Sequence, residues 1–237
     1  VENFKVKITL DNITIKNGDF ILKADGEFER GVHLITGEIG SGKTSLAMAV
    51  AGFLKLSGGK IEKSGTGSEI YSMQNPEHHV TAEKVRKEII SWGLNPEFIA
   101  DRYGLEEIMD KDPMLLSRGE LKKLELACIA ERDPDLLLLD EPFSSLDCVE
   151  KKKLISNLCN RKDKITIIFT HEQAVLPKAD YIWETEEGRL ICHGKTPEAI
   201  LRWKNCPQYI AEALRRGAIP DNITVDDVME ALCRMQG

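Results

Sequence analysis

Gly37-Glu38-Ile39-Gly40-Ser41-Gly42-Lys43-Thr44 constrains this chain more than any other stretch. It fits the phosphate-loop pattern G-x-x-x-x-G-K-[ST] at every fixed position. The flanks agree with it. Val32 to Thr36 is a short apolar run that reads as a buried strand, and Thr44 to Leu54, free of charge, reads as a buried helix. A strand that delivers such a loop and a helix that leaves it aim backbone N–H groups at a polyphosphate. Glycine at 37, 40 and 42 lets the backbone wrap closely. Lys43 is then placed to reach the β- and γ-phosphates and the Thr44 hydroxyl to hold Mg²⁺, with Ser45 next in the loop. Glu38 occupies a free position of the pattern and is expected to face solvent. A chance match in a glycine-rich turn is the plain alternative, and the strand-loop-helix setting weighs against it.

A second apolar run, Leu136-Leu137-Leu138-Leu139, has the composition of a strand buried on both faces of a parallel sheet. It ends in Asp140-Glu141-Pro142. Following a phosphate loop, an apolar strand ending in aspartate is a Walker B pattern, with Asp140 carried to the Mg²⁺ shell. Glu141 leaves the same strand end and is suited to polarise an attacking water; otherwise it is a surface carboxylate at a turn. Ile165 to Phe169 is a third buried run, with His171 after it. His171 could bond a γ-phosphate or be structural, and its position alone leaves both open. His78 and His79 read as exposed loop histidines, since no ligand partner stands at metal-binding spacing.

Around these runs, Phe4, Val6, Ile8 and Leu10, then Ile13, Ile15, Phe20 and Leu22, alternate with polar residues about the turn signal Asn17-Gly18-Asp19. Lys60 to Glu62 is expected to add an edge strand, and Ile70 to Met73 a strand ending at Gln74. Thr81 to Trp92 reads as a helix capped by Thr81, and residues 76–118 as a helical insertion. A helix follows from Leu121 to Ala130, and another from Ser144 to about Asn160. Tyr181 to Thr185 and Arg189 to His193 form a terminal β pair. The alternation predicts an α/β chain with a mainly parallel sheet, ligand at the strands' C-terminal ends. An antiparallel β subdomain and a helical subdomain over about 76–130 complete a nucleotide-binding domain at 1–196. Residues 197–237 form a helical extension. There Thr224 opens a helix whose Val225, Val228, Met229 and Leu232 make an apolar stripe, facing its own domain or a second subunit.

Net charge −7 over 237 residues argues against general nucleic-acid binding. Six cysteines without a C-x-x-C pair read as buried thiols of a reducing cytosol. The longest uncharged run falls far short of the roughly 20 residues of a membrane span, and Val1 to Lys5 lacks a signal-peptide core. The expectation is a soluble intracellular chain whose membrane role comes through a partner.

The order of the phosphate loop, Gln74, Leu-Ser-x-Gly-Glu at 116–120, Leu-Leu-Leu-Leu-Asp-Glu-Pro at 136–142, Ser-Leu-Asp at 145–147 and His171 resembles the ATP-binding cassette (ABC) ATPases over residues 4–195. The resemblance implies the P-loop NTPase fold, ATP and Mg²⁺ as ligands, and a head-to-tail dimer with two ATP molecules between subunits. By the same likeness Ser117 and Gly119 serve the γ-phosphate held by the partner's loop, and Asp147 crosses the interface. Gln74 senses Mg²⁺ and couples to a membrane partner, Glu141 is the general base, and His171 acts beside it. Gln74-Asn75-Pro76-Glu77 and the tail from Ile210 to Leu232 are similar to energy-coupling-factor (ECF) importers of vitamins or metal ions and their dimerising extension. This implies transmembrane partners near the Gln74 loop and a peripheral place on the inner face of the membrane. Other ABC importers and exporters are rivals, as are soluble ABC proteins acting on nucleic acid or ribosomes. The short span from Gln74 to Ser117 leaves no room for the coiled coils of DNA-repair relatives. This chain departs from the family at Arg118, where glycine is usual, and Glu120, where glutamine is usual; Glu120 is read as a local partner for Arg118. No clear adenine-stacking aromatic precedes the loop; alignment puts Asn17 there, with Phe20 nearby. The two departures favour pairing with a different ATPase subunit over a homodimer.

Overall fold

The computed structural model describes residues 6–159 and 161–235. Among them nine strands form one sheet: β1 (Lys7–Asn17), β2 (Phe20–Phe28), β3 (Gly31–Gly37), β4 (Gly58–Ser64), β5 (Glu69–Ser72), β6 (Leu136–Asp140), β7 (Ile165–Phe169), β8 (Tyr181–Glu186) and β9 (Arg189–Lys195). Their order is β4-β1-β2-β9-β8-β3-β7-β6-β5. The pairings β8–β3, β3–β7, β7–β6 and β6–β5 are parallel, whereas β1–β2, β1–β4 and β8–β9 are antiparallel. Both expected layers are therefore present and fused edge to edge. β2 and β9 pair in parallel at Lys23 and Arg189.

β6 shows why the leucine run folds as it does. Every residue of it is buried. Successive side chains of a strand point to opposite faces. Leu136 and Leu138 accordingly join one core, with Ile8, Phe28, Leu46 and Trp183, while Leu137 and Leu139 join another. Each such leucine contributes about 2 kcal/mol of burial free energy. A polar residue at any of the four positions would have no solvated side to turn to.

Helix α1 (Lys43–Val50) packs on the first of these cores. It is shorter than the expected span to Leu54, because Gly52 turns the chain in the left-handed region and leaves Phe53 exposed. Helices α2 (Val85–Ser91), α3 (Pro96–Tyr103) and α4 (Arg118–Arg132) build a third core from Val85, Ile89, Ile99, Leu121, Leu124 and Cys128. Thr81 does not cap α2. Its N–H and hydroxyl both donate to Glu88 Oε2, at 2.8 and 3.1 Å, which holds residues 81–84 outside the helix and leaves Lys84 at the cap.

Helix α5 (Cys148–Cys159) follows β6, and α6 (Glu198–Arg202), α7 (Gln208–Arg215) and α8 (Val225–Arg234) make the tail. The tail's stripe divides. Val228 and Ala231 enter the core of Leu137 and Leu139, together with Trp203 and Ile210, whereas Val225 and Met229 face solvent. The reading of the cysteines as buried is corrected: Cys128 is buried, but Cys148, Cys192 and Cys233 are exposed and Cys206 half-buried. Expectations for Phe4, Asn160 and the last two residues lie outside the described residues. No helix among the described residues is long and apolar enough to cross a membrane.

Candidate functional site

The loop after β3, the ends of β6 and β7, and the end of β5 lie along one edge of the parallel strands. Their order places Gly37–Ser45, Asp140–Glu141, His171 and Gln74 together. Lys43, though charged, is buried and donates to the carbonyls of Gly37 (2.8 Å) and Glu38 (2.9 Å). Burial lowers its pKa, and the nearby Glu141 and Asp140 carboxylates oppose that shift. Glu38 faces solvent, as expected. Gly42 has φ 98°, and a Cβ there would meet the Phe20 ring at 2.8 Å, so only glycine lets this aromatic lie under the loop. Ser41 Oγ lies 2.6 Å from Thr185 Oγ1, which in turn donates to the Thr36 carbonyl. Asn17 is exposed at the β1–β2 turn, beside Phe20.

Asp140 is fully buried. Its Oδ2 accepts from the Tyr71 hydroxyl at 3.3 Å and its carboxyl lies beside the Thr44 side chain. Burial raises its pKa above the usual carboxylate range, with Glu141 adding to the rise. Oδ1 has no hydrogen-bond donor among the described residues. A buried carboxylate oxygen beside a threonine hydroxyl at the foot of a phosphate loop is the donor set a hard cation takes, so these residues fit Mg²⁺. Gln74, exposed just beyond β5, is the third residue expected there.

Glu141 is held from three sides. Its Oε2 accepts from Thr170 Oγ1 at 2.8 Å, and its Oε1 from the His171 N–H at 3.0 Å. His171 Nδ1 lies 2.6 Å from the same Oε1, so a proton on Nδ1 donates to the carboxylate and leaves Nε2 for other partners. Glu141 also adopts φ 49°, rare for a residue with a side chain. Its N–H donates to the Phe169 carbonyl at 2.8 Å. These contacts tie His171 to Glu141, so the two residues form one hydrogen-bonded unit at the strand ends.

The stretch at 116–120 lies at the start of α4, where Ser117 is the N-cap. A capping box is present: the Glu120 N–H donates to Ser117 Oγ at 3.3 Å. In return Glu120 Oε2 accepts from the Ser117 N–H (2.9 Å) and hydroxyl (2.7 Å), which keep its pKa below the usual value. The expected pairing of Glu120 with Arg118 is thus corrected. The cap draws Glu120 toward Ser117, and the exposed Arg118 guanidinium instead faces Glu77 at 3.9 Å. Gly119 is tightly placed, since a Cβ there would lie 3.1 Å from the Ser145 carbonyl. Asp147 Oδ1 caps α5, accepting from the N–H groups of Val149 and Glu150, both at 2.8 Å.

Tyr71, Thr170 and Thr185 are site residues that motif reading missed. Thr170 sits between a strand end and a candidate histidine, a place that could have flagged it. Tyr71 and Thr185 left no such signal. His79 is not the exposed loop residue expected, because its ring is half-buried and accepts a backbone N–H from Met73 at 3.0 Å.

A loop, two carboxylates and a histidine gathered at the ends of parallel strands define a nucleoside-triphosphate site of the phosphate-loop class. Residues 25–144 match the family described as ABC transporter, and the chain belongs to that family. Within it, this ABC ATPase is similar to the "Energy-coupling factor transporter ATP-binding protein EcfA1" of Thermotoga maritima, 29% identical over 238 residues, covering 85% of this chain and 92% of the relative. The "Thiamine import ATP-binding protein ThiQ" of Haemophilus influenzae is 31% identical, with 66% and 83% covered. Among solved structures, cbiO1 from Clostridium perfringens, part of the ABC transporter complex cbiONQ, superposes with TM-score 0.67 at 22% identity, covering 89% of this chain and 96% of that one.

Proposed function

We propose that this chain is the ATP-hydrolysing subunit of an ECF-type importer, driving uptake of a vitamin or metal ion through separate transmembrane subunits. The observation that carries the reading is the clamped Glu141–His171 pair opposite the phosphate loop, and the similarity to EcfA1 and cbiO1 supports its transport side. Residues 1–196 act as the ATPase domain, with the helical part near 76–130, and 197–237 as an extension for pairing. The chain sits on the inner face of the membrane and touches its membrane partner near Gln74.

Residues Gly37 to Ser45 hold the phosphates, with Lys43 as the charge on the β- and γ-groups. Thr44, Asp140 and Gln74 hold Mg²⁺, which when bound neutralises charge on the phosphoryl oxygens. Glu141 accepts a proton from water as the water oxygen attacks the γ-phosphorus and the bond to the β–γ bridging oxygen breaks. Thr170 and His171 keep the carboxylate aimed during that step. Ser117, Gly119 and Asp147 face the γ-phosphate and loop of a second ATPase subunit. The Ser117 hydroxyl already donates to Glu120, and Arg118 stands where a small residue would let the backbone approach. Both favour a partner with a different sequence, so that one composite site is stronger than the other.

Nucleotide affinity measured beside steady-state phosphate release tests this. Lys43→Ala is expected to abolish ATP binding, while Glu141→Gln keeps binding and stops turnover. Normal hydrolysis by the glutamine variant would remove Glu141 from the mechanism.

A further inference from the structure

Strand β5 is the last strand of the sheet and ends at Ser72, so Met73 lies beyond the ladder, immediately before Gln74. Its backbone polar groups need partners from elsewhere. Both are side chains. The Met73 N–H donates to His79 Nε2 at 3.0 Å, and the Met73 carbonyl accepts from Lys122 Nζ at 3.4 Å. Lys122 also donates to Ser72 Oγ at 2.9 Å and to Glu125 Oε2 at 2.9 Å. Lys122 and Glu125 lie on α4, the helix that Ser117 caps, and their side chains are only 2% and 3% exposed.

A buried ion pair is a poor source of stability, because desolvation offsets most of the attraction and apolar side chains would fill the space as well. What only a lysine does here is bridge two backbone segments, the end of β5 and the start of α4. The histidine adds a constraint. Nε2 can accept from Met73 only while it carries no proton. It also lies 3.4 Å from Glu125 Oε1, a buried oxygen with no hydrogen-bond donor among the described residues. A proton on Nε2 would end the bond to Met73 and supply the one Glu125 lacks. The charged groups facing this imidazole are Glu125 and Lys122 of α4, Glu88 of α2 and the neighbouring His78; burial holds the ring toward its neutral form.

We infer that His79 and Lys122 are positioning residues for Gln74: they clamp Met73 to helix α4, so that Gln74 and the Ser117 end of the helix keep a fixed relation. The inference rests on the proposed role of Gln74 at the Mg²⁺ site, but the clamp itself can be measured without nucleotide.

The experiment is amide hydrogen exchange over residues 72–75 of the full chain, with the Mg²⁺ and pH dependence of hydrolysis alongside. His79→Gln keeps an acceptor oxygen near Nε2 and does not titrate, whereas His79→Ala keeps neither property. Lys122→Met is combined with Glu125→Leu, so that no unpaired carboxylate is left inside. Loss of a clamping bond is expected to speed exchange of this segment about tenfold in His79→Ala and in the double variant. His79→Gln should restore protection. Half-maximal hydrolysis should require a few-fold more Mg²⁺ in the first two, with metal-free ATP affinity unchanged. Wild-type hydrolysis should fall on the acid side of pH 6.5, and His79→Gln should lack that limb. Unchanged exchange in both His79→Ala and the double variant would overturn the clamp. Altered exchange with unchanged Mg²⁺ dependence would keep the clamp and overturn the role of Gln74.

Discussion

The phosphate-loop end of the sheet and the Ser117 end of α4 treat their polar groups in opposite ways. At the first, side chains are held by neighbours in the fold and lie close enough to act on one another: Glu141 by Thr170 and His171, Asp140 by Tyr71, Lys43 by loop carbonyls. At the second, the hydroxyl expected to meet a phosphate is spent on its own helix, and the carboxylate that captures it is drawn in by the cap. One end is organised for a ligand and the other is satisfied without one. An ATPase with one strong and one weak composite site would be built this way, each subunit lending its partner a signature of different quality.

The sharpest way to break that contrast is at Glu141. Glu141→Gln should lower turnover by about 10²–10⁴ with nucleotide affinity unchanged, read from phosphate release beside equilibrium binding. No substitution at residues 117–120 should approach that size in the isolated chain. A drop of equal depth in Glu120→Gln would erase the distinction between the two ends.

Acid should separate them next. His33 lies in the first half of β3, the strand that delivers the loop, with Nε2 on the Glu29 carbonyl (2.8 Å) and Nδ1 accepting from Trp183 Nε1 (3.1 Å). Burial lowers its pKa to about 4 from 6.5, with the Glu29 carbonyl, Asp180 and Glu29 acting in the other direction. The unfolded chain therefore binds the extra proton between these values. Stability from this residue is complete above pH 6.5 and is lost as pH falls toward 4, by about 3 kcal/mol in all. Thermal melts of wild type and His33→Gln across this window should show the slope only in wild type. Equal slopes would assign acid sensitivity elsewhere.

Thr170→Val comes third. It removes the one bond Thr170 makes to the Glu141 carboxylate while keeping the side chain's shape, and should cost about tenfold in turnover with little change in affinity. A variant as fast as wild type would mean that His171 alone aims the carboxylate. The smallest effects belong to α4. Arg118→Gly and Glu120→Gln should each change stability by less than about 1 kcal/mol, since the ion pair is exposed and an amide can still accept from Ser117. Their effect should appear as a few-fold rise in ATP-dependent pairing or hydrolysis by the chain alone. A chain that already turns over briskly and slows in Arg118→Gly would make Arg118 a phosphate clamp and favour a homodimer.

Motifs set by local geometry could be read directly from the chain. The phosphate loop needs glycines at fixed places, and the leucine run of β6 can only be a strand wetted on neither face. Pairings across long sequence separations could not. Nothing near Glu141 names Thr170, and nothing near Gln74 names Lys122, nearly fifty residues on. The Arg118–Glu120 misreading has the same origin: both residues were seen in one local motif, but the helix cap took one and Glu77 the other. The stripe on α8 was legible as apolar, yet only the packing of Val228 beside Trp203 shows which half is already occupied.

The two rims of the sheet carry a consequence of their own. On one side β4 turns Lys60 and Glu62 outward; on the other, β5 is only four residues long and is followed at once by the side-chain-held Met73. Charged or very short rims discourage a foreign strand from adding to a sheet. Growth by strand addition is thus disfavoured at both sides. Helices and loops are then the surfaces left for a partner, and copies of the chain are discouraged from zipping onto one another edge to edge.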